Sequence, residues 1–267
     1  MKSNNKINKL KSLAKEMRKA ILQTSLNCGE SAHIGGALSI VEILATLYGE
    51  VMSLNLKKPR DRFILSKGHG FLGLLSALHC KKFISKKELM KFQTNGSELI
   101  AHPIVNPKFG IESSNGSLGQ GLSFGTGLAI ANKKKNTKNS IYVLIGDGEC
   151  YEGSIWEAAI ACTESSLNNL TVIVDCNGFQ NDGAIHQKMN FMELKNKWEG
   201  FGWKTLTCDG HNINELLKAF KKNKTKKPTA IIAKTIKGKG VSFMEKNNDW
   251  HHNRLTQKLY NDAILKL

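Results

Sequence analysis

The chain has 267 residues, of which 40% are hydrophobic, a length and composition that exclude a disordered protein and allow one large domain over 1–267. Its formal net charge is +17, from 39 basic and 22 acidic residues. The polar, lysine-rich start lacks the apolar core of a secretory signal, and no apolar run approaches the roughly 20 residues of a membrane helix. A cytoplasmic protein that does not span a membrane is therefore expected.

Helical and strand-like patterns alternate along the chain. Residues 7–27 have apolar positions at helical spacing, and a second helix is predicted over 39–52 with Ser39 as a candidate N-cap. Further helices are predicted at 119–132, 154–165 and within 254–267, and β-favouring runs predict strands at 63–65, 142–145, 170–174 and 229–233. This alternation predicts an α/β fold with a doubly wound, mainly parallel sheet flanked by helices, in which ligands bind at the carboxyl ends of the strands.

The excess of basic residues raises nucleic-acid binding as an alternative. However, only four residues are arginine, no aromatic residues are interleaved for base stacking, and lysines concentrate in runs at 133–135, 221–222 and 224–227. A solvated basic surface is therefore predicted, with no nucleic-acid partner. None of the six cysteines belongs to a CxxC arrangement, so reduced packing cysteines are expected rather than a zinc site or a disulfide framework.

The segment Gly146-Asp147-Gly148 follows the strand predicted at 142–145 and precedes a helix. Its two glycines permit a tight turn and a close approach of backbone amides to a ligand, and the following helix N-terminus favours an anion. The carboxylate of Asp147 would repel a bare phosphate in this loop. A divalent cation between the carboxylate and a diphosphate would explain its presence.

Asn177 and Phe179 follow the next predicted strand. Neighbouring parallel strands would bring Asn177 close to Asp147, and the backbone carbonyl of Phe179 would add a third oxygen donor. Diphosphate oxygens and water would complete an octahedron around Mg²⁺, with Ca²⁺ or Mn²⁺ as alternatives. Because Gly, Asp and Asn are also ordinary turn residues, the interpretation depends on their spacing across one strand–helix–strand unit.

These residues resemble the cofactor motif of thiamine-diphosphate-dependent enzymes, and specifically the N-terminal part of transketolases. The similarity covers nearly the whole chain in the right order, through the segments at 66–70 (SKGHG), 117–121 (SLGQG), 148–158 (GECYEGSIWEA) and 234–244 (KTIKGKGVSFM), followed by Trp250-His251. It implies the diphosphate-binding module of the thiamine diphosphate fold. It also implies transfer of a two-carbon ketol group from a ketose phosphate to an aldose in carbohydrate metabolism, such as the pentose phosphate reactions.

The resemblance implies roles for individual residues. His33 would lie near the reacting carbon and help move protons, His102 would hydrogen-bond the ketose hydroxyls, and His251 would face the substrate channel. An imidazole suits these tasks because it titrates near neutral pH and can donate or accept. The implied cofactor-binding set is His69, Gly116, Leu118, Gly146, Asp147, Gly148, Glu152, Asn177 and His251.

The sequence also departs from the transketolase pattern. Ala32 and Ile34 flank His33 where Gly and Pro are familiar, and His252 follows His251 where glycine is more usual. These departures bear on the acceptor sugar. Full-length transketolases continue into a second thiamine domain with the glutamate that activates the aminopyrimidine, and no segment after Lys239 has room for it. A separately encoded C-terminal half is therefore expected, in a heterotetramer with two copies of each chain.

Two related enzymes remain open as alternatives, namely a deoxyxylulose-phosphate synthase-like chain and a 2-oxo-acid dehydrogenase α-type subunit. Both use the same cofactor and a similar metal motif. The histidines His33, His69, His102 and His251 favour sugar chemistry, because ketose recognition needs many hydrogen-bond partners. Outside enzymes, the alternatives are a non-catalytic binding subunit, which the intact metal ligands disfavour, and a basic nucleic-acid-binding protein.

Overall fold

Helices and strands alternate through most of the computed structural model, which describes residues 2–54, 60–186, 189–222 and 226–267. The helices are α1 (Lys2–Cys28), α2 (Ile34–Leu38), α3 (Val41–Thr46), α4 (Phe71–Cys80), α5 (Lys86–Leu89), α6 (Gln120–Lys134), α7 (Gly153–Glu164), α8 (Phe191–Gly200), α9 (Ile213–Lys222) and α10 (Gln257–Leu265). The strands are β1 (Ser31–Ala32), β2 (Arg62–Leu65), β3 (Ile141–Gly146), β4 (Leu170–Cys176), β5 (Phe179–Gln180), β6 (Gly183–Ala184), β7 (Lys204–Asp209), β8 (Thr229–Lys234) and β9 (Asn253–Arg254). The lysine run predicted at 224–227 lies partly outside the described residues.

The central sheet has five parallel strands in the order β2-β3-β4-β8-β7. Every strand predicted from the sequence lies in this sheet, and the predicted α/β fold with a parallel sheet flanked by helices is confirmed. The edge strand β7 was not predicted. β1 and β9 pair separately as a short antiparallel ladder, which brings together two segments far apart in the sequence.

Helices cover both faces of the sheet because the strand residues alternate. In β3, Ile141, Val143 and Ile145 pack into a core cluster with α6, α7 and α8. Tyr142 and Leu144 point to the opposite face and join the larger cluster, which contains residues of α1, α3, α4 and α9. Each fully buried aliphatic side chain contributes about 1.5–3 kcal/mol, so the two clusters together hold the layers in place.

The helix predicted over 39–52 differs from the structure. α2 ends at Leu38, α3 begins at Val41 with Ile40 as its N-cap residue, and the helix continues as a π-helical turn to Val51. The Ser39 hydroxyl lies 3.0 Å from the Gly36 carbonyl oxygen and 2.7 Å from a carboxylate oxygen of Asp175. The N-cap prediction was therefore wrong, because the Ser39 hydroxyl donates a hydrogen bond to a carboxylate on a strand distant in the sequence.

Within the described residues, one window, Ile34–Val51, is long and apolar enough to cross a membrane by length and composition. The expectation that no apolar run approaches this length was therefore too strict. Because 83% of the window is buried inside the fold and α2 and α3 divide it, its apolar character is explained by packing in the core.

Two glycines of α6 give a test of how closely this helix packs on the sheet. A Cβ atom at Gly121 would lie 2.5 Å from the Ser66 Cβ, whereas a Cβ at Gly127 meets nothing within 4 Å. We expect Gly121→Ala to lower the free energy of unfolding by about 1–3 kcal/mol through overpacking. Gly127→Ala should raise it by up to about 1 kcal/mol, since alanine has the higher helix propensity. Urea denaturation of both variants measures this, and equal stabilities would contradict the close packing.

Candidate active site

A cavity of about 250 Å³ lies at the carboxyl ends of β3 and β4, where the fold class predicts a ligand. Its lining includes most residues proposed from the sequence, namely His69, Leu118, Gly146, Asp147, Gly148, Glu152, Asn177, Phe179 and His251. It also includes residues not singled out, among them Gly36, Lys67, Glu149, Tyr151 and Lys237. A larger hollow of about 530 Å³ around Asp209 and His211 contains none of the proposed site residues.

Asp147 and Asn177 are brought together by the register of β3 and β4, in which Gly146 lies opposite Asp175. The Asp147 side chain is buried, and its two oxygens accept hydrogen bonds from the backbone amides of Gly148 (2.9 Å) and Gly178 (2.7 Å). The Asn177 side-chain oxygen accepts from the Phe179 amide at 3.0 Å. The three oxygen donors proposed for a metal therefore lie in two adjacent loops.

The chemistry of this donor set fits a hard divalent cation. Burial, followed by the nearby negative charge of Asp175, raises the pKa of Asp147 to about 7, although two backbone amides and the charge of Lys67 act in the opposite direction. The described residues contain no group of three His, Cys, Asp or Glu placed to hold a metal by themselves. One carboxylate, one amide oxygen and one backbone carbonyl instead suit Mg²⁺ that also binds diphosphate and water.

A buried ion pair beneath the cavity was missed by sequence reasoning. Lys67 and Asp175 are both fully buried and form a salt bridge. The carboxylate of Asp175 also accepts hydrogen bonds from Thr235, from Ser39 at 2.7 Å and from the Asn177 amide nitrogen at 2.9 Å. Burial would raise the pKa of Asp175, but the charge and hydrogen bond of Lys67 hold it below its usual value. The bond to Asp175 fixes the orientation of the Asn177 amide, whose oxygen accepts from the Phe179 backbone amide.

Glu149 connects three segments of the cavity wall. Its carboxylate accepts hydrogen bonds from the Ser66 hydroxyl, from the Gly119 amide at 2.8 Å and from the Gly146 amide at 3.1 Å. The side chain is 2% exposed, and this burial raises its pKa. Glu149 therefore fixes the loops before α4, α6 and α7 relative to one another.

Five histidine rings form a cluster at one end of the cavity, and His33 is its centre. The His33 ring centroid lies 6.0 Å from that of His69, 5.3 Å from His102, 5.4 Å from His251 and 4.5 Å from His252. Burial, then the neighbouring His252, lowers the pKa of His33 to about 3. Burial also lowers the pKa of His69 and of His102. These three imidazoles are therefore neutral near pH 7.

Lys237 determines which ring nitrogen of His251 carries the proton. Its ammonium lies 2.8 Å from His251 Nδ1 and donates to the Asn248 side-chain oxygen at 2.6 Å. Burial, then the charge of Lys237, lowers the pKa of His251 to about 4. Since Nδ1 accepts from Lys237, the neutral ring carries its proton on Nε2 and is a hydrogen-bond donor there. Burial, followed by the charge of Lys67, lowers the pKa of Lys237 itself to about 8.

Four proposed residues lie at the edge of the cavity or outside it, and one of them, His33, does not belong to its lining. A Cβ at Gly116 would lie 3.8 Å from the His102 ring, and neither residue belongs to the lining of the cavity. Glu152 is exposed at the N-cap of α7, because a 3₁₀ turn over Gly148–Tyr151 separates Asp147 from this helix. The helix after the glycine turn therefore begins later than the sequence pattern suggests.

Lys67, Asp175 and Glu149 were missed from the sequence, and each has a partner 30 or more positions away in the chain. Lys67 is within the SKGHG segment and Lys237 within the KTIKGKG segment, so each is marked by its motif. Asp175 and Glu149 each lie two positions from a residue proposed as a metal ligand. A carboxyl at the end of the apolar strand β4 and a second carboxyl in the turn after β3 were the available signal, since buried charges are paired in folded proteins.

Comparisons with known proteins agree with this geometry. Residues 11–263 match the model of the family described as transketolase, thiamine diphosphate binding domain. The chain is 39% identical to one of the subunits of apulose-4-phosphate transketolase from Phocaeicola vulgatus, over 88% of this chain and 85% of that protein. It is 40% identical to 6-deoxy-6-sulfo-D-fructose transketolase subunit SqwG of a Clostridium species, over 88% of both chains.

A solved structure of transketolase from Campylobacter jejuni superposes with a TM-score of 0.83 and 28% identity. The match covers 97% of this chain and 42% of the Campylobacter chain, so this chain corresponds to less than half of that enzyme. The arrangement of cavity, oxygen donors and histidines thus occurs on the fold of a known enzyme family. This chain belongs to the transketolase family, as its thiamine diphosphate-binding part.

Proposed function

We propose that this chain is the cofactor- and metal-binding subunit of a two-chain transketolase, folded as a single domain over 1–267 and acting in the cytoplasm. It would transfer a two-carbon ketol group from a ketose phosphate to an aldose or aldose phosphate, pentose phosphates being one substrate class. The observation that carries the proposal is that an oxygen-donor set around the buried Asp147 and a cluster of five histidines meet at one cavity.

The residues of the cavity have distinct tasks in this proposal. Asp147, Asn177 and the Phe179 carbonyl would hold Mg²⁺ against the diphosphate, while His69, Leu118 and the glycine amides bind the phosphate oxygens. Thiamine diphosphate supplies an electron sink that allows the carbon–carbon bond beside a ketose carbonyl to break. The Lys67–Asp175 pair keeps the Asn177 amide oriented, and Glu149 holds the loops in position.

The histidines supply hydrogen bonds and proton transfers to the sugar. His251 donates from Nε2, because Lys237 occupies its Nδ1. His33 and His102 are neutral near pH 7 and can therefore each donate from one ring nitrogen and accept at the other. Neutral imidazoles suit sugar hydroxyls, which also both donate and accept.

A separate chain would complete the site by supplying the glutamate that activates the aminopyrimidine. Two relatives that match over most of their length are each named as a subunit of a transketolase. Beside the cavity, α6 and α7 and the loop between Gly146 and α7 leave large apolar side chains exposed, namely Phe124 (46%), Tyr151 (46%) and Ile160 (50%). These exposed apolar side chains are candidates for contact with the partner chain. A heterotetramer with two copies of each chain is the proposed assembly.

The alternatives within the same cofactor class are less well supported. The two subunits compared above are named as parts of transketolases, and neither is named a deoxyxylulose-phosphate synthase or an oxo-acid dehydrogenase. A pyruvate decarboxylation assay beside a xylulose 5-phosphate cleavage assay, both with the partner chain present, separates these activities.

Calorimetric titration of thiamine diphosphate into the purified chain tests the proposal. We expect binding that requires Mg²⁺ and tightens when the partner chain is added, because the diphosphate half of the site lies in this chain and the pyrimidine half does not. The chain alone should transfer no ketol groups at ordinary enzyme rates. Binding that ignores Mg²⁺ would contradict the metal assignment, and full activity of the single chain would contradict the two-chain enzyme.

A further inference from the structure

His252 lies at the outer side of the histidine cluster, next to His33. Its ring centroid is 4.5 Å from that of His33, which is the shortest of the ring distances within the cluster. His252 is exposed, and it does not line the cavity that His69 and His251 line. The rings therefore form a series, from His69 and His251 at the cavity, through His33, to His252 at the solvent side.

The backbone holds His252 in this place. Ser31 pairs with Arg254 and Ala32 with Asn253 in the antiparallel ladder of β1 and β9. The next step of that register places His33 opposite His252, whose backbone is extended with φ −146° and ψ 101°. The two imidazoles thus lie beside each other at the end of this ladder, and each directly adjoins a strand of it.

The ring nitrogens of this outer group are available to a ligand. Within the described residues, His33, His102 and His252 make no side-chain hydrogen bond, in contrast to His251, whose Nδ1 is engaged by Lys237. Three rings with free donor and acceptor positions at the entrance of a cavity match a polyhydroxylated ligand, whose hydroxyl groups need both kinds of partner.

We propose that His252 is a specificity-determining residue that hydrogen-bonds a sugar hydroxyl of the substrate, on the solvent side of the hydroxyl reached by His33. This inference depends on the proposed transketolase function, because that function places a sugar at the cluster. A ring nitrogen that can donate or accept suits a hydroxyl group, so the contact is assigned to a hydroxyl and not to a terminal phosphate. Its loss weakens sugar binding and leaves the chemical step intact.

Three variants of the assembled two-chain enzyme, loaded with cofactor and Mg²⁺, test the inference. We expect His252→Ala to raise KM for ketose substrates roughly 3- to 10-fold with little change in kcat, as for the loss of one hydrogen bond. His252→Gln, which keeps a donor and an acceptor, should recover most of the loss. Asn253→Ala, in the same ladder, is the matched control and should leave KM unchanged.

A non-reactive sugar alcohol separates this inference from the proposed function. Its Kd, measured by calorimetry on wild type and His252→Ala, should rise by the same factor as KM, and this readout needs no turnover. Equal Kd values for the two proteins would overturn the role of His252 even if ketol transfer is observed. A loss seen only with phosphorylated sugars, and not with the matching unphosphorylated ones, would overturn the assignment to a hydroxyl group. Absence of ketol transfer by the wild type, with sugar-alcohol binding weakened by His252→Ala, would count against the proposed function alone.

Discussion

Replacing Asp147 with alanine is expected to lower the affinity for thiamine diphosphate and Mg²⁺ by at least about 100-fold. Removing a side chain that only orients a metal ligand lowers metal affinity by about 10- to 100-fold, and Asp147 is proposed as a ligand itself. The carboxylate is buried beside Asn177 and is the only charged member of the proposed oxygen-donor set. Calorimetric titration in the presence of Mg²⁺ gives the affinity directly. The loss should appear as absent binding, and not as normal binding with slow turnover.

The control for this variant is Asp262→Ala, which removes an exposed carboxylate from α10. It should bind the cofactor as the wild type does. Thermal unfolding of both variants without ligand checks that Asp147→Ala still folds, since its side chain also accepts two backbone hydrogen bonds. Wild-type affinity in a folded Asp147→Ala protein would remove the metal assignment.

Replacing Lys67 with methionine is expected to lower the free energy of unfolding by about 3–5 kcal/mol, because it leaves Asp175 buried without its countercharge. The matching change at an exposed pair, Lys195→Met opposite Glu199, should cost no more than about 0.5 kcal/mol. Urea denaturation of the two variants gives the comparison. Both changes remove a lysine from a salt bridge, and the two sites differ mainly in burial.

A second change distinguishes an unpaired charge from a simple loss of packing. In Lys67→Met with Asp175→Asn, the amide at position 175 carries no charge and still accepts a hydrogen bond. We expect the double variant to be more stable than Lys67→Met alone. If it is equally or less stable, the buried charge of Asp175 does not explain the effect of the first substitution.

The sequence predicted the core of the fold because local patterns determine it. β3 and β4 are continuous apolar runs, as expected for strands buried on both faces, and α7 between them has a clear apolar stripe. β7 was missed because this edge strand mixes lysine, threonine and aspartate with few apolar residues. Ser39 was assigned as a cap because Ser is favoured there, whereas its true partner, Asp175, is 136 positions away.

The candidate site was predictable to the extent that motifs mark it. Asp147, Asn177 and Phe179 were selected by spacing, and the structure brings them into adjacent loops. Lys67 and Glu149 act through contacts with residues 108 and 30 positions away, which no local pattern reveals. The sequence marked His252 only as a departure from the family. That its ring lies beside the ring of His33 became visible only in the structure.

The short ladder of β1 and β9 affects the order in which the parts of this protein fold. It joins Ser31 to Arg254, so the segment carrying His33 finds its partner only after nearly all of the chain has been made. Contacts between such distant segments form late, because the entropy of closing a long loop must first be overcome. The loops around Asp147 can assemble from the middle of the chain, but the complete histidine cluster cannot. A nascent chain that does not yet contain β9, or a truncated chain without it, would therefore form the cofactor-binding part of the site and lack the sugar-binding part.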